Sequence, residues 1–118
     1  MAPYIRNLFR CSETDHAEGS DDMRFAFIFI NECLEGIERT SVRNGDSLFV
    51  GVRNVDEACS EAQIMFRDGV DCIELCGAFG EEGARRVMDA TERMVPVGYI
   101  THLPEMDEIY DRAFGGQN

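Results

Sequence analysis

The chain has 118 residues, 44% of them hydrophobic, and a formal net charge of -12. That length and composition fit one packed domain. The acidic balance excludes nucleic-acid phosphate as a partner, because backbone binding needs clustered Lys and Arg, and here all 11 basic residues are Arg.

Residues 1–22 stand apart. Their second half, SETDHAEGSDD, is acidic and aperiodic, which predicts a poorly ordered extension preceding a single α/β domain over residues 23–118. The first ten residues lack the apolar core of a signal peptide. No apolar run approaches the roughly 20 residues that cross a bilayer, so no membrane partner is expected. The expected location is the cytoplasm, with the five cysteines reduced.

Residues 23–30, MRFAFIFI, are aromatic, β-branched and almost continuously apolar, as in a strand buried on both faces. Residues 31–46 contain Gly36 and the Asn44-Gly45 pair and read as a long loop. SLFVGV, residues 47–52, is a second strand. Asn54 then offers an N-cap and Glu57 the matching N3 carboxylate. Val55, Ala58, Cys59, Ala62 and Phe66 follow at helical spacing, and Asp68-Gly69 ends the helix.

Residues 71–76 form a third strand, Gly77 to Gly80 a turn, and residues 81–93 a helix with Ala84, Val87, Met88 and Thr91 inward. VPVGYIT, residues 95–101, is a fourth strand, with Pro96 favouring its start or a sheet edge. Pro104 opens a last helix that turns Met106, Ile109, Tyr110 and Ala113 inward. The order β-loop-β-α-β-α-β-α predicts a mostly parallel four-stranded sheet with right-handed crossovers. Three helices do not suffice to cover both faces, so a homo-oligomer is expected.

The stretch CIELCGAFGEEG, residues 72–83, holds the main functional signal. Strand periodicity puts Cys72, Glu74 and Cys76 on one face. A carboxylate inside an apolar strand has to pair with an arginine, meet a subunit interface or a solvated face, or serve as an acid, a base or a ligand anchor. Cys72 and Cys76 lie too far apart on a strand for a disulfide. The glycine turn sits at the carboxyl end of a strand and before a helix, where α/β sheets bind ligands. Its GxxGxxG spacing is neither the dinucleotide fingerprint nor a P-loop, which requires Lys. Glu81 and Glu82 in the first helical turn disfavour a strongly charged anion.

If the four strands run parallel, Asn31, Arg53 and His102 converge with Gly77, Ala78, Phe79 and Gly80. These residues make a candidate ligand site. Glu74, Cys76 and His102 are the candidate catalytic groups: an acid or base, a nucleophile and its partner. The spacing of His, Cys, Asp and Glu suggests no metal site, and nothing specifies a cofactor.

MRFAFIFI, VDCIELCGAFGEEGARRVMDA and VPVGYI together resemble a family of small prokaryotic α/β proteins catalogued as a domain of unknown function. The similarity spans residues 23–102, with IELCGAFG and VPVG its most recognisable parts. It implies a compact α/β domain and supplies neither an activity nor catalytic residues. The expected function is binding of a small polar ligand at the carboxyl edge of the strands. The alternatives are a small enzyme using Glu74 and His102, or an oligomeric interaction module without a ligand.

Overall fold

The computed structural model describes residues 23–115; the expected N-terminal extension lies outside them. Five strands form one mixed sheet: β1 (Phe25–Ile30), β2 (Glu38–Val42), β3 (Ser47–Val52), β4 (Cys72–Leu75) and β5 (Val97–Tyr99). Their order across the sheet is β2-β3-β1-β4-β5. The four expected strands are all present and mutually parallel. Three helices follow β3, β4 and β5: α1 (Val55–Arg67), α2 (Gly80–Ala90) and α3 (Asp107–Phe114).

The expected loop over residues 31–46 is in part a strand. β2 pairs antiparallel with β3 and forms the sheet edge. Every residue of it is exposed, so ERTSV carries no hydrophobic alternation to betray it. The hairpin turn has Arg43, Asn44 and Gly45 at φ of 56°, 55° and 95°. Asn-Gly suits such left-handed positions, and it is a hairpin signal as well as a helix breaker.

α1 begins as expected. The Asn54 side chain accepts from the Glu57 N–H at 2.9 Å, and Glu57 Oε1 accepts from the Arg53 N–H at 2.8 Å. The carboxylate thus reaches one residue further back than in the usual capping box. Pro96 immediately precedes the edge strand β5, where it breaks no ladder.

The core lies on one side of the sheet. Ala26, Ile28, Val50, Val52, Ile73 and Leu75 are buried there against Ala58, Ala62 and Met65 of α1 and Ala84 and Val87 of α2. Handedness explains why both helices share this side. The crossover from β3 to β4 and the one from β4 to β5 advance in the same direction across the sheet. Right-handed crossovers in one direction place their helices on one face. The connection from β1 to β3 runs the other way, so a helix there would cover the opposite face. That connection instead holds β2, preceded by a short segment carrying Leu34, whose Cδ1 lies with the Phe29 ring over Gly51.

β1 is therefore not a strand buried on both faces. Ala26 and Ile28 are fully buried, whereas Phe25 and Phe27 are half-buried and Phe29 is exposed. α3 also departs from expectation. Its amphipathic spacing is real, but none of its residues is buried, so Met106, Ile109, Tyr110 and Ala113 do not point into the domain.

Candidate functional site

Glu74 lies on the face of the sheet opposite α1 and α2. Register sets Thr40, Phe49, Phe27, Glu74 and Gly98 side by side across all five strands. The Phe27 and Phe49 rings stack at 5.1 Å. Glu74 is half-buried beside them, and its Oε2 accepts from the Cys72 thiol at 3.5 Å. Its Oε1 lies over the edge strand, where a Cβ on Gly98 would come within 3.1 Å. Glycine at position 98 gives the carboxylate room to lie across β5 towards water.

The domain does contain a buried carboxylate paired with arginine, at a different glutamate. Glu61 on α1 is 5% exposed. It accepts from Arg39 Nε at 2.9 Å and from Nη2 at 2.6 Å, a two-pronged bond from β2. Hydrogen bonding and the charge of Glu61 raise the Arg39 pKa above its ordinary value. Strand pairing accounts for the contact: Arg39 sits opposite Val50, whose side chain faces the helices. Sequence reasoning missed this pair because it requires β2.

The carboxyl ends of the parallel strands meet as expected, and a cleft of about 610 Å³ opens there. Cys76, Gly77 and Ala78 form one wall, and the residues from Tyr99 to His102 form a second. Tyr110 and Phe114 of α3 complete it. A single turn of 3₁₀ helix over Gly77–Phe79 leads directly into α2. Two glycines shape this entry. A Cβ on Gly77 would come within 3.2 Å of the Ile100 carbonyl, so the turn closes onto the exit of β5. Gly80 has φ of +65°, which a side chain would strain.

His102 binds α3 to the cleft. Its Nε2 lies 2.8 Å from Asp107 Oδ1, and its ring stacks on Tyr110 at 3.8 Å with planes 9° apart. The Cys76 sulfur accepts weakly from the Ile30 N–H at 3.4 Å, which sets it over the end of β1. Among the described residues Cys33, Cys59 and Cys76 are free thiols. Burial raises the Cys59 pKa, which keeps that thiol protonated and unreactive.

Of the nine candidate residues, four line this cleft: Cys76, Gly77, Ala78 and His102. Phe79 is buried in the core, and Gly80 is the first residue of α2. Asn31 turns back to accept from the Cys33 N–H at 2.9 Å. Arg53 is ion-paired with Glu57, which raises the pKa of the arginine and lowers that of the carboxylate. Glu74 belongs to the sheet face and is not part of the cleft lining. Tyr99, Ile100, Thr101, Tyr110 and Phe114 were not singled out from sequence, because their role depends on where α3 lies. Among the described residues no group of three His, Cys, Asp or Glu side chains could hold a metal ion. No helix among them is long and apolar enough to cross a membrane.

Over the described residues, sheet, helices and cleft define a small α/β domain with one helical layer and a cleft at the carboxyl ends of its parallel strands. The chain belongs to DUF6506, a family of unknown function, which matches it over residues 23–115. Neither a curated protein nor a solved structure matches it.

Proposed function

We propose that the domain binds a small ligand in the cleft between the Gly77–Phe79 turn and α3. The observation that carries this reading is the cleft itself. It has the volume of a small-molecule site, sits where parallel sheets bind ligands, and is walled by aromatic rings with a few polar tips. Such a lining narrows the polar ligand expected from sequence to one with a flat apolar body and a single polar end. Asp107 beside His102, Glu81 and Glu82 at the start of α2, and the chain's charge of -12 favour a neutral or basic polar end.

The enzyme alternative places Glu74 and His102 together, but one lies on the sheet face and the other in the cleft. Binding is therefore the better-supported reading. A thermal-shift screen of planar aromatic amines, amides and carboxylates tests it. Amines or amides should raise the melting temperature of the full chain. Ala78→Trp, which fills the cleft from an exposed position, should abolish that shift while the unliganded protein melts as before. Hits that survive Ala78→Trp, or a preference for carboxylates, would refute the proposal.

A further inference from the structure

We infer that a second copy of this chain seats α3 on the face of the sheet opposite α1 and α2, giving a twofold dimer with exchanged C-terminal arms. Both halves of the contact are present on one chain. Among the described residues no helix packs on the sheet face carrying Phe25, Phe27, Phe29 and Phe49, which lies opposite α1 and α2. The chain also has an amphipathic helix that stands at the strand ends with its apolar residues exposed. Met106, Ile109, Tyr110 and Phe114 recur at helical spacing, and no residue of α3 is buried. An eight-residue helix is marginal alone in water and draws its stability from packing its apolar face.

α3 cannot readily supply the missing layer within its own chain. The connection over residues 100–103 reaches only about 14 Å when extended. The His102 contacts to Asp107 and Tyr110 hold the helix at the strand ends.

The exposed area is that of a dimer contact. Ile100, Leu103, Met106, Ile109, Tyr110 and Phe114 are each between 39% and 65% exposed. At roughly 200 Å² for a large side chain, they offer about 600 Å² per arm. Two arms give about 1,200 Å² before the covered sheet faces are added, within the range of a specific interface. A twofold pairs the two arms and two faces with neither left over.

The arm's polar side carries Glu105, Asp107, Glu108 and Asp111, and each copy has a net charge of -12. Apolar burial therefore drives association against charge repulsion, so added salt should strengthen it. Closing the dimer would also cover the outer wall of the cleft, since Tyr110 and Phe114 line it. The inference does not depend on a ligand.

Sedimentation of the full chain at micromolar concentration should show a species of twice the 13.3 kDa chain mass. Rising sodium chloride should tighten the association. Ile109→Asp with Phe114→Asp replaces exposed residues only. It should weaken association by roughly 100-fold or more with the circular dichroism retained. Phe29→Asp, on the receiving face, should do the same. Hydrogen exchange on the unmodified chain serves if these variants misfold: dilution from micromolar to nanomolar should speed exchange in α3. One species near 13.3 kDa at micromolar concentration overturns the proposal and leaves the face to a partner of other chemistry. So does a dimer weakened by salt, or one in which α3 exchange is independent of concentration.

Discussion

Arg39→Met isolates the contact that ties the edge strand to the helical layer. The substitution keeps the aliphatic stem of residue 39 and removes both donors from Glu61. The Glu61 side chain is 6% exposed and the Arg39 side chain 57%. Removing one partner of a fully buried pair costs about 3–5 kcal/mol, because the other charge is stranded. An exposed pair is worth about 0–1 kcal/mol. With one end dry and the other wet, the cost should fall between these, near 2 kcal/mol. For a domain of this size that lowers the melting temperature by roughly 10 °C. Glu61→Gln should cost less, about 1 kcal/mol, because Arg39 can turn to solvent while the amide keeps the volume. The asymmetry is the diagnostic, and urea unfolding of both variants measures it. A cost for Arg39→Met no greater than for Glu61→Gln would show that the buried carboxylate does not need this arginine.

Three further outcomes follow from the geometry. Glu74→Gln should change stability by no more than about 0.5 kcal/mol, since the carboxylate lies at an open face and its protein contact is a weak thiol bond; a loss of several kcal/mol would mean that a cation partner had been stranded. Glu57 is held below its ordinary value of 4.5 by hydrogen bonds from Arg53. Its stabilisation is thus complete above that pH and lost as pH falls through the lower folded value. Glu57→Gln should flatten this part of the acid limb, and an unchanged limb in acid titration would count against the bond. A chain starting at Met23, where the family match begins, should melt within about 2 °C of the full chain in a calorimetric scan, whereas a drop of several degrees would show that residues 1–22 pack on the domain.

What the sequence made legible follows from the strength of its local signals. SLFVGV is dense in strand formers, and its strand bounds, residues 47–52, match those read from sequence. Asn54, Glu57 and Asp68-Gly69 mark the ends of α1 through side-chain bonds and a left-handed glycine, both local devices. β2 was illegible for the opposite reason. It is an exposed edge whose stability comes from pairing with β3 and from the Arg39–Glu61 bond to a helix 22 residues away in sequence. α2 stops at Ala90 rather than near Arg93, because Glu92 and Arg93 take φ of 58° and 57° without a glycine to announce it. The cleft was half legible. Its strand-end wall follows from parallel order, but its aromatic wall depends on the position of α3, which no periodicity specifies.

Glu74 shows how handedness decides the meaning of a side chain. In a sheet wound on both faces, a carboxylate between Cys72 and Cys76 on the inner strand β4 would lie under a helix and need a buried counter-charge. Here the two helical crossovers advance in one direction, so α1 and α2 share one face and Glu74 lies on the other. The same apolar strand then has two characters: Ile73 and Leu75 are sealed in the core, while Glu74 looks out across Gly98. The aromatic stripe on β1 has the same origin. Phe25, Phe27 and Phe29 present apolar area on the uncovered side, which costs solubility unless something seats there. Among the described residues no helix packs on this face, whereas the amphipathic α3 lies exposed at the strand ends. A substitution that reveals a partner for one should reveal it for the other.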